Sequence, residues 1–282
     1  MTSITSRVAR GVRIAGKDIR YALRSRASVH PMYLRFAQHG EHRDEVLGDG
    51  TAIVIDGFPR SANTFAAIAF QMAQGTPVRI AHNLHSAAHL AAAASRGLPT
   101  IVLIRDPTDA VLSEAIREQP VSLKTVLAAY CRFYETVDPW LPNMTVGEFS
   151  QVTHDLGAVI REMNRRCGSA FRPFDADARS TSDVFGLIDE RERRPAVKAV
   201  DEYLAGKTSL DAVWATYRDL DGRGEPSTVP ERSVPRPSAV RAELKAELRH
   251  ELEDPALMPL RERADRAYRC VVQGRHTLDG SR

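Results

Sequence analysis

The chain has 282 residues, of which 43% are hydrophobic and 27% are charged. This composition is that of an ordinary globular protein with a sizeable core, and it excludes a disordered or collagen-like chain. The 39 basic and 36 acidic residues leave a net charge of only +3, which is too small an excess to indicate a nucleic-acid partner.

The cysteines and the hydropathy pattern indicate the cellular compartment in which the protein is expected. Three cysteines lie far apart, cannot all pair and offer no zinc-binding spacing: Cys131, Cys167 and Cys270. This usage favours a reducing compartment. No apolar run approaches the roughly 18 residues that span a bilayer. A cytoplasmic location is therefore expected.

Residues 1–48 are predicted to form a basic N-terminal arm. Its first 26 residues contain seven cations against Asp18 alone: Arg7, Arg10, Arg13, Lys17, Arg20, Arg24 and Arg26. Four apolar residues among them are roughly helically spaced: Val8, Val12, Ile19 and Leu23. The arm has no apolar stretch of the kind that a secretory signal needs, so export is not expected. The pattern favours a solvated helix packed on the domain, with peripheral contact to an anionic membrane or organelle targeting as alternatives.

In the first half of the domain, strands and helices are predicted to alternate. Four apolar runs are predicted as strands, at 51–56, 78–81, 100–104 and 144–149. Helical periodicity follows them at 64–74, in an alanine-rich stretch ending near Gly97, from Pro107 onward, at 121–134 and at 153–166. Such alternation indicates βαβ units, hence an α/β domain whose parallel sheet is flanked by helices and connected by right-handed crossovers.

The C-terminal half is predicted to be helical. Helices are expected at 191–204, 210–220, 238–253 and 259–272. Residues 221–238 contain four prolines and read as a long loop, which in a compact domain is either a lid or a linker. Residues 49–282 are therefore predicted to form a single domain with a lid loop at 221–238.

The first chemical motif follows the first predicted strand. The predicted strand is followed by the loop Gly57-Phe58-Pro59-Arg60-Ser61-Ala62-Asn63-Thr64 and then by a predicted helix. This arrangement is typical of a loop that binds phosphate on the N–H groups of a helix N-terminus. Arg60 could bind two oxygens of such an anion, and Thr64 adds a hydroxyl. The loop lacks the Gly-Lys-Ser/Thr of a Walker A motif, which disfavours a nucleoside triphosphate with magnesium. By itself the motif is equally consistent with a tight structural turn.

The second motif follows the third predicted strand and reads Arg105-Asp106-Pro107-Thr108-Asp109-Ala110-Val111-Leu112-Ser113. Arg105 stands at the carboxyl end of its strand, where open parallel sheets bind ligands. Ser113 would meet the same anion if the strand end and the following helix converge.

Together the two segments resemble those of the sulfotransferases that use 3′-phosphoadenosine 5′-phosphosulfate (PAPS). That family pairs Pro-Lys/Arg-Ser-Gly-x-Thr after one strand with a later Arg-Asn/Asp-Pro-x-Asp-x-x-x-Ser. Residues 59–64 match the first pattern except that Ala62 replaces glycine, and all five fixed positions of the second are present. The resemblance covers roughly residues 50–175. It implies a P-loop-like sulfotransferase fold and an enzyme that transfers a sulfonate group from PAPS to a hydroxyl of a small-molecule or glycan acceptor.

The resemblance also implies which residues hold PAPS as co-substrate. The first loop and helix start would bind the 5′-phosphosulfate: Arg60, Ser61, Ala62, Asn63, Thr64 and Phe65. Arg105 and Ser113 would bind the 3′-phosphate, and no metal is expected. Ala62 departs from the pattern at a position where a positive φ would penalise a Cβ.

Two catalytic roles are predicted. Arg60 would stabilise the leaving phosphate, and His82 is the chosen general base, because the resemblance places a histidine after the strand that precedes the arginine strand. His85 is the reserve candidate, and Glu114 is a further one, because carbohydrate-directed relatives use a carboxylate. His85 and His89 have helical i,i+4 spacing, but no third ligand accompanies them, so a metal site is not favoured.

The late loop supplies the last predicted contacts. Arg236 and Ser238 are assigned to the 3′-phosphate, although a proline-rich linker with Ser238 capping the next helix is an equal alternative. The residues do not identify the hydroxyl-bearing acceptor. Two other functions remain open: a P-loop nucleotide kinase or hydrolase, and a non-catalytic nucleotide-binding protein.

Overall fold

The computed structural model describes residues 4–40, 43–222 and 239–279. Its centre is a sheet of four strands: β1 (Thr51–Gly57), β2 (Arg79–His82), β3 (Thr100–Ile104) and β4 (Thr145–Glu148). Every strand pair is parallel, and the strand order is β2-β1-β3-β4. This confirms the predicted α/β class and the predicted strands to within two residues at each end.

Twelve α-helices surround the sheet within the described ranges. They are α1 (Ile4–Ala27), α2 (Met32–Ala37), α3 (Asn63–Ala73), α4 (Ala87–Ser95), α5 (Pro107–Arg117), α6 (Leu123–Val137), α7 (Phe149–Cys167), α8 (Ala178–Arg193), α9 (Ala199–Leu204), α10 (Leu210–Gly222), α11 (Ala239–Leu252) and α12 (Met258–Asp279). After β4 the described chain is helical, as predicted.

Both faces of the sheet are buried, because successive side chains of a strand point to opposite sides. Val54 and Val102 pack against α4, α5, α6 and α12, whereas Ile55 and Leu103 pack against α3, α7, α8 and α9. Burying each such side chain contributes roughly 1.5–3 kcal/mol. The sheet is thus the middle layer between two helical layers.

The strand order creates a switch point between β1 and β3. The chain leaves β1 toward β2 on one side, and β3 lies on the other side of β1. In open parallel sheets the connections diverge at such a point and leave a crevice outside the carboxyl ends of the two strands. The loops carrying both predicted motifs, at residues 58–62 and 105–106, begin here.

One predicted helix differs from the structure. The helix expected at 191–204 is divided between α8, which ends at Arg193, and α9, which begins at Ala199. Pro195 lies in the gap, where its missing N–H and its ring disfavour a continuous helix, and Arg194 has left the helical region with φ −128°. Of the predicted lid loop 221–238, residues 223–238 lie outside the described residues, and so do Arg236 and Ser238.

Helix α1 packs on the rest of the domain. Tyr21 is buried in the same core as α6, Asp18 accepts a hydrogen bond from the Ser122 N–H at 2.7 Å, and Arg132 donates to the Ser25 hydroxyl at 2.8 Å. Within the described ranges, none of the helices combines the length and the apolar character needed to cross a membrane.

Candidate anion-binding site at the ends of β1 and β3

The loop between β1 and α3 presents the start of a helix to the crevice. Ala62 is the N-cap residue and has a left-handed conformation, φ 69° and ψ 24°, so the position where the sulfotransferase pattern has glycine does require a positive φ. The Ala66 N–H donates to the Ala62 carbonyl at 2.9 Å. The N–H groups of residues 63–65 precede that bond and have no acceptor within the helix, so they favour an anion.

Glycine at position 57 allows this loop to begin close to β3. A Cβ at Gly57 would lie 2.2 Å from the Leu103 carbonyl oxygen, so any side chain here would force the two strand ends apart. The amide of Asn63 then fixes the loop by donating to the Phe58 carbonyl at 3.0 Å. The close strand ends bring the two motifs within reach of each other.

The two motifs contact each other directly. Arg60 Nε donates to the Ser113 hydroxyl at 3.0 Å, and Arg105 Nη1 donates to the Arg60 carbonyl at 3.2 Å. The Arg105 guanidinium also lies 4.0 Å from the centre of the Phe149 ring and 3.7 Å from the Asp109 carboxylate. Both arginines are therefore oriented by several contacts.

A single cavity of about 790 Å³ is lined by residues of both motifs, within the size range of ligand sites. Seven of the predicted binding residues line it: Arg60, Ala62, Asn63, Thr64, Phe65, Arg105 and Ser113. Ser61 is fully buried, and its hydroxyl lies 3.5 Å from that of Tyr134. Burial lowers the pKa of Arg105, whereas the nearby carboxylates of Asp109 and Asp106 act to raise it. The Arg105 guanidinium remains charged.

The predicted base His82 does not line this cavity. It ends β2, is 1% exposed, and its Nδ1 has no hydrogen-bond partner among the described residues. Burial lowers its pKa to about 4, because the protein interior disfavours the charged imidazolium. His82 is a neutral core residue at physiological pH.

His85, three residues later, does line the cavity. Its φ of 50° is left-handed, and its Nδ1 lies 2.9 Å from the Gly57 carbonyl oxygen. A carbonyl can only accept, so Nδ1 carries the proton of the neutral ring and Nε2 keeps its lone pair. The Asp56 carboxylate accepts the backbone N–H of His85 at 3.2 Å. His85 thus has the tautomer that a general base needs.

His89 has a structural environment. It is fully buried, its Nε2 accepts the Leu47 N–H at 3.0 Å, and its Nδ1 lies 3.3 Å from Asp56 Oδ2. Both ring nitrogens are therefore occupied. In the ranges 4–40, 43–222 and 239–279, no group of three or more His, Cys, Asp or Glu side chains is arranged to hold a metal ion.

Glu114 is a buried carboxyl group at the cavity wall, 2% exposed. Tyr21 donates to its Oε1 at 3.1 Å, while its Oε2 has no hydrogen-bond partner among the described groups. Burial, the largest cause, raises the pKa of Glu114, and His85 and Arg60 act in the opposite direction. The pKa of the Glu114 carboxyl group therefore depends on both His85 and Arg60.

The cavity residues that were not predicted from the sequence include Tyr21, Asn83, Phe149 and Lys245. Asn83 and Phe149 directly follow the carboxyl ends of β2 and β4, which is the signal that could have found them. Lys245, whose Nζ lies 3.5 Å from Asp109, and Tyr21 stand on distant helices and carry no such signal.

Backbone strain is concentrated at the cavity. In the described part of the chain, four residues other than glycine have a positive φ: Arg60, Ala62, Asn83 and His85. All four line the cavity. Each left-handed residue costs on the order of 1–2 kcal/mol, and such strain clusters at functional sites because the surrounding structure holds a geometry that function requires.

Comparisons with known proteins do not assign this site. No protein-family model, no curated protein and no solved structure matches the chain.

Proposed function

We propose that the chain is a PAPS-dependent sulfotransferase with a P-loop-like fold, which transfers a sulfonate group to a hydroxyl of a small molecule or glycan. One observation carries the proposal. Arg60 and Arg105, from motifs after neighbouring strands, line the same cavity, and Arg105 donates to the Arg60 carbonyl while Arg60 donates to Ser113 of the second motif. One ligand with two anionic groups can bridge them, as the resemblance requires.

The residues present fit such a donor. The free N–H groups at the start of α3 and the Arg60 guanidinium suit the 5′-phosphosulfate. Arg105 and Ser113 suit the 3′-phosphate. Arg105 Nε is buried without a hydrogen-bond partner among the described groups, and an unmet donor on a buried guanidinium favours an anion beside it.

The reaction then assigns two roles to the chain's own residues. PAPS supplies the sulfonate group. An acceptor oxygen forms the new bond to sulfur while the bond from sulfur to the 5′-phosphate oxygen breaks. His85 Nε2 takes the acceptor's proton, and Arg60 stabilises the charge that develops on the departing phosphate.

His85 replaces His82 as the proposed base, because a base must lie within hydrogen-bond reach of the proton it takes. His85 lines the cavity, whereas His82 is buried behind it. Glu114 is the alternative base, since its unpartnered Oε2 and raised pKa would also permit proton transfer.

Ligand-induced thermal shifts test the proposal against nucleotide kinase or hydrolase activity. Adenosine 3′,5′-bisphosphate (PAP), the expected product, should raise the Tm well above the shift caused by AMP or by ATP with magnesium. Arg105→Ala should abolish the extra shift of PAP over AMP. Arg249→Ala, an exposed arginine of α11, is the matched control. A larger shift with ATP and magnesium than with PAP would reject the sulfotransferase.

A further inference from the structure

The two faces of α1 differ in character. Tyr21 is buried against the domain, whereas Ile19 and Leu23 are 61% and 59% exposed. Residues 19 and 23 are four apart and so lie on one side of the helix. Helix α1 therefore presents an apolar stripe outward while its other face packs on the domain.

Exposed large apolar residues are concentrated at this end of the chain. Four of the six such side chains in the described ranges belong to α1 and α2: Ile19, Leu23, Met32 and Phe36. Phe36 is 72% exposed, the highest value of the six. Single exposed apolar residues need no explanation, but a concentration on two consecutive helices indicates an interaction surface.

Cations accompany these apolar residues. Arg20, Arg26 and Arg35 are exposed on the same helices. Asp18, the one acidic residue of the first 26, accepts the Ser122 N–H. No exposed acidic side chain of α1 therefore offsets the arginines within its described residues.

We propose that the outward faces of α1 and α2 bind the surface of an anionic lipid bilayer. Ile19, Leu23, Met32 and Phe36 enter the boundary between headgroups and acyl chains, and Arg20, Arg26 and Arg35 contact anionic headgroups. The apolar side chains suit the acyl boundary of a bilayer, and the arginines flanking them suit its anionic headgroups. The inference rests on these two helices and is independent of the reaction.

The side of α1 that packs on the domain also faces the cavity. The cavity is lined by Tyr21, Arg24 and Ser25 of α1 and by Ser28 just beyond its end. The helix that lies on the bilayer is therefore also a cavity wall. The protein would thus act at the membrane surface.

Vesicle co-sedimentation of the full chain tests the proposal. Wild-type protein should bind vesicles of phosphatidylcholine with about one third phosphatidylglycerol at least tenfold more strongly than pure phosphatidylcholine vesicles. Raising the salt from about 0.1 M to about 1 M, which shortens the screening length from about 10 Å to about 3 Å, should remove most of that preference.

Paired variants separate the two components of binding. The double variant Ile19→Ser/Leu23→Ser should lower the partition coefficient at least tenfold on anionic vesicles. Met258→Ser removes an apolar side chain that is 53% exposed on α12, and it should leave binding unchanged. Arg20→Glu/Arg26→Glu should also lower binding at least tenfold, and only on anionic vesicles. Unchanged thermal melting and PAP binding confirm that the variants fold.

Three outcomes would overturn the proposal. The first is that the wild-type protein does not bind anionic vesicles. The second is that Ile19→Ser/Leu23→Ser and Met258→Ser bind these vesicles equally. The third is that light scattering shows a dimer of the wild-type protein, which Ile19→Ser/Leu23→Ser dissociates. The last outcome would assign the face to a second copy of the chain. None of the three affects the thermal shift with PAP, so failure here is distinguishable from failure of the sulfotransferase proposal.

Discussion

The loops after β1 and after β2 make opposite contributions to one cavity. Each contains two left-handed residues that are not glycine, Arg60 and Ala62 in the first, Asn83 and His85 in the second. The first loop presents a guanidinium and unpaired N–H groups. The second presents an imidazole whose Nδ1 lies against the Gly57 carbonyl oxygen.

The same left-handed backbone conformation thus accompanies two different kinds of functional group at the cavity. Positive φ at Arg60 and Ala62 accompanies a guanidinium and the start of α3 at the cavity wall. Positive φ at His85 accompanies an imidazole at the wall of the same cavity, with its Nδ1 against the Gly57 carbonyl oxygen. Under the proposed function the first loop binds negative charge and the second accepts a proton, so substitutions in the two should affect different measured quantities.

The largest effect is expected from the anion-binding loop. Arg60→Ala should lower turnover about 1000-fold, because it removes the cation that stabilises charge developing on the leaving phosphate. Release of PAP from PAPS measures this, since it counts transfer to any acceptor, including water. Arg60→Lys keeps the positive charge but loses the forked geometry and the hydrogen bond to Ser113, so it should lose activity, but less than Arg60→Ala. Equal losses in both variants would show that the fork geometry rather than the charge matters.

The second loop directly follows His82. The comparison of the two loops assumes that His82 is a buried core residue and that His85 is the base. Its pKa is about 4 when folded against about 6.5 when unfolded, so the unfolded state binds more protons between these values. The free energy of unfolding should therefore fall by about 3 kcal/mol as the pH drops from about 6.5 to about 4. Above that window the contribution is constant.

Chemical denaturation across this pH range checks the His82 prediction. The variant His82→Asn cannot protonate at position 82 and should lose this part of the pH dependence. Turnover at neutral pH, normalised to folded protein, should not change. A pH dependence equal to that of the wild type would show that the His82 imidazole is not buried as described.

In the loop that carries His85, substitution of the proposed base should affect turnover and leave the affinity for PAP almost unchanged. His85→Asn should lower turnover about 100-fold, because positioned bases contribute about 10²–10⁴, while PAP affinity stays within a factor of two or so. Isothermal titration with PAP and PAP release from PAPS separate the two quantities. If turnover persists in His85→Asn and falls in Glu114→Gln, the base is Glu114.

The smallest effect tests the strain itself. Ala62→Gly should raise the free energy of unfolding by about 1 kcal/mol, because glycine adopts the φ of 69° seen at Ala62 without the steric cost of a Cβ. Ala67→Gly, inside α3, should instead lower stability by about 1 kcal/mol or more. Thermal or urea unfolding measures both, and a loss of stability in Ala62→Gly would contradict the described backbone.

Much of the architecture follows from local pattern. The apolar runs around Val54 and Val102 predict buried strands, and alternation with helices predicts the parallel sheet. The division of the helix expected at 191–204 was also readable, since Pro195 cannot continue a helix. What no local pattern revealed is that Tyr21 and Lys245, more than 200 residues apart, lie in one cavity wall.

Local sequence pattern is enough to place Arg60 and Arg105 after two strands of one parallel sheet, and the carboxyl ends of such strands share an edge. Which histidine reaches the cavity depends on long-range contacts. His82 and His85 are three residues apart and chemically identical, and the outcome depends on the burial of one and the left-handed turn of the other. Burial and positive φ arise from contacts with Glu45, Asp56 and Gly57, which are distant along the chain and become neighbours only when the domain folds.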